Sequence, residues 1–225
     1  MEKILLLIPL VLGEDYRRSI GTPGAVRMLE MAHKEYGRRS WSELFNPAIQ
    51  LASDGFPISG RMAAAIAGAR ADLLRDPDAV AYFLNADLTP KGLGTLIKNP
   101  DYAATLRAIA NGGADAFYTG PIAQSIVDKI GVSMGGAGSP VPITPGLTTM
   151  QDLANYKAIR REPVCTTYRD TWVCGMGPPS SGGIAVAQAL GILENFDLSA
   201  QKPTQIGDEG ARSEEHTSEL QSPYV

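Results

Sequence analysis

The chain has 225 residues, 44% of them hydrophobic and 20% charged, with a net charge of −4. That length supports one large domain or two small ones with a real apolar core, and the near-neutral balance excludes the basic stripe of a nucleic-acid binder. The 24 glycines and 16 prolines are spread along the chain as punctuation, not gathered into one low-complexity tract.

The opening stretch, MEKILLLIPLVLG, places Lys3 ahead of an apolar run from Ile4 to Leu12. The polar GEDYRRS that follows offers no small-residue cleavage site. The run is too short to span a bilayer. It reads as a strand separated from its neighbours or as a damaged chain start, so residues 1–18 are set apart.

Short capped helices follow. Thr22 before Pro23 has the form of an N-cap with proline at the first helical position. Val26, Leu29, Ala32 and Tyr36 then recur at helical spacing until Gly37. His33 lies in this helix beside Lys34 and reads as a solvated or half-buried side chain. Ser40 with Glu43 three residues on is a capping-box pattern. Pro47 restarts a helix that Asp54-Gly55 ends. Ser59 caps an Ala-rich stretch from Arg61 to Leu74. Asn99-Pro100 opens a helix to Ala110, closed by Asn111-Gly112-Gly113. Gly120-Pro121 starts another, with Ile122, Ile126 and Ile130 along one core stripe.

The segment Gly131–Gly146 is rich in glycine. It lacks both G-x-G-x-x-G and a following Lys-Ser/Thr pair, so it reads as a surface loop rather than a phosphate cradle. It is also the weakest point of the chain for a domain boundary. A short helix follows, capped by Thr148 or Thr149 with Gln151 or Asp152 three residues on.

The period then changes. REPVCTTYRDTWVCGM is rich in Val, Thr, Tyr and Trp and reads as a β-hairpin. A two-residue turn at Arg169-Asp170 sets Tyr168 opposite Thr171, Thr167 opposite Trp172, Thr166 opposite Val173, and Cys165 opposite Cys174. The last pair is non-hydrogen-bonded, with Cα atoms about 4.5 Å apart, near the short end of what a disulfide accepts. Two readings stay open: a bridge, or two reduced core residues, with the redox compartment deciding. Two cysteines with no nearby histidine do not make a zinc site.

The stretch GMGPPSSGGIAVAQAL has three readings. A serine nucleophile needs a base. The only histidine ahead of the tail is His33, and the G-x-S-x-G elbow is absent. A glycine-rich turn into a helix suits an anion, yet no lysine or arginine follows. The simplest reading is a helix start, with Ser180 or Ser181 capping a helix from about Gly182 to Glu194. Gly182 and Gly183 then allow strand and helix backbones to approach closely.

These residues also carry a family resemblance. VCGMGPPSSGGIAVAQALGILENFDL resembles the strand–PPPSSGG–helix segment of the large subunit of gamma-glutamyltransferases, with Gly177 in place of one proline. SIGTPGAVRMLEMAHKEYGRRSWSELFNPAIQLASDGFPIS resembles the family's G-x-PG opening and its PAI-LA-DGF helix. ADAFYTGPIAQSIV and LTTMQDLANYKAIRREPV resemble two further segments, all in family order from Ser19 to Leu198.

The resemblance implies an α+β fold: the mostly helical part of an N-terminal nucleophile hydrolase αββα sandwich, with one β-hairpin and a following helix. It implies a precursor that cuts itself. The new N-terminal threonine attacks γ-glutamyl amides such as glutathione, with its own α-amino group able to act as base. The γ-glutamyl group then passes to water, an amino acid or a peptide. No cofactor or metal is implied. The implied partners are a small catalytic subunit from the same precursor and a small-molecule γ-glutamyl substrate, in a periplasmic or secreted setting.

Few sites carry over. The nucleophile threonine is expected beyond the chain end, so no catalytic residue is assigned. The family's large-subunit arginine belongs to an R-E-x-A-P motif that the start of this chain lacks, and neither Arg17 nor Arg18 is given its role. Thr148-Thr149 matches the helix before the hairpin, not the cleavage site. Ser180, Ser181, Gly182 and Gly183 are the pocket-supporting candidates. The chain reads as an inactive fragment of such an enzyme, poorly soluble because its hairpin has an unpaired edge. The alternatives are a non-catalytic interaction module or a cephalosporin-acylase-like relative.

The tail differs in kind. RSEEHTSELQS resembles an in-frame translation of a common sequencing adapter. Residues 211–225 are read as artefactual, and 19–210 as the partial large-subunit domain. From Arg212 to Val225, one arginine and three glutamates contribute −2 of the net −4.

Overall fold

A computed structural model describes residues 20–135 and 141–198. The readings of the chain start, of Arg17 and Arg18, and of the tail fall outside these residues. The described chain is α+β, with helices and three separate two-stranded antiparallel ribbons. It divides into two compact units between Ala158 and Ile159, inside the segment read as one partial domain.

The first unit opens with α1 (Ala25–Tyr36), which Gly37 ends by donating its N–H to the His33 carbonyl. Thr22 does not cap it. The helix starts at Ala25 behind Gly24, with no side-chain cap. The Pro23 carbonyl accepts from the Tyr118 hydroxyl at 2.6 Å, and the Arg27 N–H that would meet it in a longer helix donates to the same hydroxyl at 3.2 Å. Nor does Ser40 form a capping box. A 3-10 turn begins at Ser42 behind Trp41, again with no side-chain cap. The Trp41 indole donates instead to the Ile109 carbonyl, 3.0 Å away.

Next come α2 (Asn46–Asp54), β1 (Phe56–Pro57) and α3 (Gly60–Gly68). Gly55 ends α2 at φ 91°, a conformation suited to glycine. Ser59 caps α3 by accepting from the Met62 N–H at 3.2 Å. The single helix read from Arg61 to Leu74 is interrupted at Ala69, and α4 (Arg70–Leu73) continues from there. Then α5 (Pro77–Phe83) is capped by Asp76, whose carboxylate accepts from Asp78 and Ala79. β2 (Leu96–Ile97) pairs with β1, Phe56 opposite Ile97.

Asn99 caps α6 (Pro100–Gly112) through the Tyr102 N–H at 2.8 Å. α7 (Asp115–Tyr118) and α8 (Gly120–Ile130) follow. The ribbon β3 (Met134–Gly135) with β4 (Val141–Pro142) occupies part of the expected loop. Thr149, not Thr148, caps α9 (Met150–Ala154), in a reciprocal box with Asp152.

Two apolar clusters fill this unit. Ile122, Ile126 and Ile130 stand one turn apart on α8, as their i, i+4 spacing requires. They pack with Ile109, Phe117, Tyr118 and Leu153. Ile58, Ile66, Leu73, Phe83 and Ile97 form the other cluster. Tyr118 is wholly buried, and its ring stacks on Tyr156 with centroids 5.5 Å apart.

The second unit is smaller. β5 (Val164–Tyr168) and β6 (Thr171–Gly175) form the hairpin, and α10 (Gly182–Leu193) packs on it. Cys165 faces Cys174, and Tyr168 faces Thr171. Arg169 and Asp170 both hold positive φ, 45° and 65°. That is the type I′ turn whose twist matches a hairpin.

Candidate functional site

The turn between β6 and α10 holds the serine and glycine candidates. The Pro178–Pro179 peptide bond is cis. Gly177 is buried and its carbonyl accepts from the Ser180 N–H at 3.1 Å. Ser181 occupies the N-cap position, yet its side chain caps nothing. It enters at φ −79°, ψ −21°, already helical, where a capping residue is typically extended. The Ser180 hydroxyl instead accepts a long bond, 3.4 Å, from the Gly182 N–H.

The two glycines differ. A Cβ on Gly182 would meet only the Ser180 hydroxyl at 3.6 Å, an ordinary contact. A Cβ on Gly183 would run into the Met176 carbonyl oxygen and stand 2.9 Å from the Gly175 carbonyl carbon. A Cβ on Gly175 would stand 2.7 Å from the Gly183 Cα. The close approach of strand and helix therefore rests on Gly175 and Gly183, and not on Gly182.

Beside this contact lies a recess of about 130 Å³, lined by Val173, Cys174, Gly175, Gly182, Gly183, Val186 and Ala187. None of these side chains can exchange a proton at neutral pH once the cysteine is bridged. Ser180 and Ser181 are not in the lining. The recess can seat an apolar group, but it holds no acid or base.

Cys165 and Cys174 are joined in a disulfide across the hairpin, with their Cα atoms 4.1 Å apart. His33 is engaged locally: its Nε2 bonds to the Arg39 carbonyl at 2.8 Å, and its ring meets the edge of Trp41. Among the described residues, no group of three His, Cys, Asp or Glu side chains is placed to hold a metal ion.

The first unit carries two charge clusters: the helical spacing of Arg27, Glu30 and Lys34 announces part of one, and no local pattern announces the other. The Lys129 Nζ lies 2.8 Å from Asp76 and 2.7 Å from Asp78, joining α8 to the start of α5. Burial pulls the Lys129 pKa down, but the two carboxylates outweigh it and hold it above its ordinary value. Glu30 accepts from the Ala114 N–H at 2.8 Å and pairs with Lys34 and Arg27. Burial raises the Glu30 pKa, yet the Ala114 bond and the cations hold it below its usual value. Among the described residues no fully buried side-chain nitrogen or oxygen lacks a hydrogen-bond partner. Both clusters are thus satisfied internally.

Comparison with known proteins supplies the family. The gamma-glutamyltranspeptidase family model matches residues 12–217. The chain belongs to the gamma-glutamyltranspeptidase family. The glutathione hydrolase proenzyme of Escherichia coli (strain K12) is 34% identical over 178 residues, covering 79% of this chain and 29% of that protein. The Acylase ACY 1 proenzyme of Pseudomonas sp. (strain V22) is 33% identical over 183 residues, covering 81% and 31%. The crystal structure of Helicobacter pylori gamma-glutamyltranspeptidase superposes with a TM-score of 0.75 at 33% identity, covering 91% of this chain and 55% of that one. This chain therefore spans less than a third of the length of the curated relatives it matches. The described α+β fold is part of the N-terminal nucleophile hydrolase fold of this family.

Proposed function

We propose that this chain is part of the large subunit of an enzyme that cleaves γ-glutamyl amides such as glutathione. The colinear family match over residues 12–217 carries this reading. The catalytic threonine is supplied by the small subunit of the same precursor. Its hydroxyl attacks the γ-glutamyl carbonyl, and its α-amino group takes the proton. The amine leaves, and water or an acceptor amine then takes the γ-glutamyl group from the threonine.

The role of the described residues is positional. The Gly175–Gly183 contact fixes where α10 begins, and Ser180 and Gly182 shape the turn that supports the pocket. The disulfide supports a periplasmic or secreted setting, where such bonds persist. Among the described residues, no helix is long and apolar enough to cross a membrane.

The acylase reading rests on the Pseudomonas relative, with 33% identity against 34% for the glutathione hydrolase. One experiment separates the two. The full precursor containing this chain is expressed, its self-cleavage is followed on a gel, and a γ-glutamyl anilide and an acylated cephalosporin are offered. Release from the γ-glutamyl anilide is expected. A self-cleaved protein that releases only the cephalosporin acyl group establishes the acylase, and one that releases neither leaves the interaction module.

A further inference from the structure

We propose that Tyr118 is a two-ended staple of the first unit: its hydroxyl caps the entry, its ring holds the exit, and the two ends open together because one side chain grips both. The entry is the chain from Pro23 into α1. The exit is the chain from α9 to Tyr156, just before the boundary at Ala158. Tyr118 is wholly buried within this chain alone, so its grip does not depend on what else a longer protein would cover.

The hydroxyl takes the place of a local cap. The first N–H groups of a helix lack partners within it, and Gly24 at the N-cap position of α1 has no side chain to offer. The Tyr118 hydroxyl accepts from the Arg27 N–H at 3.2 Å, where a cap side chain ordinarily reaches. It also donates to the Pro23 carbonyl at 2.6 Å. Both bonds need one group that donates and accepts, which a phenol does. Burial raises the pKa of this phenol, which secures the proton that it donates to Pro23.

The ring carries the other end. It stacks on Tyr156 at an interplanar angle of 10°, with centroids 5.5 Å apart, a geometry that adds to simple burial. Entry and exit also meet directly: a Cβ on Gly24 would run into the Tyr156 hydroxyl and stand 2.9 Å from its ring carbon Cζ. Gly24 has φ −102°, which any residue adopts, so the glycine serves this close approach and not a turn. Val26 from the entry and Met150 and Tyr156 from the exit pack on the same apolar cluster as Tyr118. Two chain ends held by one side chain form one local opening unit. This inference is independent of which amide the family member cleaves.

The test uses the full precursor containing this chain. Hydrogen exchange is followed by mass spectrometry at rising urea below the denaturing range. The peptides read cover residues 20–30 and 150–158, with 120–130 in α8 as control. In the unaltered protein both end segments are expected to lose protection at the same urea concentration. Y118F keeps the ring and removes the hydroxyl. It should speed exchange of 20–30 by about tenfold, the effect of leaving a backbone N–H and carbonyl unpaired, and leave 150–158 unchanged. Y156L removes the stacked ring and should do the reverse. Each variant loosens one grip and keeps α8 protected, so either decides the matter where the other misfolds. End segments that open at different urea concentrations in the unaltered protein overturn the proposal, as does a variant that speeds both segments equally or neither.

Discussion

The two units treat their apolar residues in opposite ways. In the first, α8 turns its three isoleucines inward, and each is no more than 4% exposed. In the second, α10 is apolar around most of its circumference and none of its residues is buried. Ile184, Val186 and Ile192 remain exposed, as do Trp172 and Met176 on the hairpin side. An amphipathic helix needs one covering layer, whereas a helix apolar all round belongs in an interior. The first unit carries its own core. The second holds its geometry through backbone contact between two glycines and a cross-strand bond.

The comparison predicts unequal costs. Ile126→Ala should destabilise the first unit by about 2–5 kcal/mol, the range for a large-to-small change in a packed core. Ile184→Ala, at a partly exposed site, should cost under about 1 kcal/mol by the same scaling with buried area. Urea unfolding of both variants checks this, and equal costs would break the contrast.

Gly183→Ala should cost about 1–3 kcal/mol, as expected when a methyl group is forced into a filled space. Gly182→Ala, one position earlier, should be neutral or stabilising by up to about 1 kcal/mol through the unfolded chain. Matching losses at the two positions would refute the assignment of the close approach to Gly183.

Asp170→Gly should stabilise the hairpin by about 1 kcal/mol, because glycine adopts the left-handed conformation of the turn without the Cβ clash that a side chain brings. Thermal melts monitored at Trp172 check the direction. The smallest effect concerns pH. Glu30 has its carboxyl pKa lowered in the folded chain, so its contribution is complete above its ordinary value and is lost as pH falls through the lowered one. Glu30→Gln should therefore flatten the acid limb of the stability profile of the first unit and leave the second unit unchanged.

Much of this was legible in the chain, and the exceptions share a cause. The caps at Asn99 and Thr149 depend on residues at most three positions away. The hairpin register needs only the turn at Arg169-Asp170. The failed caps at Thr22 and Ser40 involve partners far along the chain: Tyr118 takes the Pro23 carbonyl, and Trp41 reaches Ile109. The bridge from Lys129 to Asp76 and Asp78 spans more than fifty residues and has no periodic signature. α5 carries the signal of a capped start at Asp76-Pro77, but its seven residues are too few to show a period. The paired glycines of the candidate site look equivalent in sequence, and only the approach of Gly175 separates them.

The contact between Gly175 and Gly183 also limits how this segment can change over generations. The atoms each added methyl group would meet belong to main chain: the Gly183 Cα in one case, the Met176 and Gly175 carbonyls in the other. A bulky neighbour can be trimmed by a second mutation, but a carbonyl cannot. Neither glycine has a compensating partner, so a library randomised at both positions should return glycine at each, independently of the other.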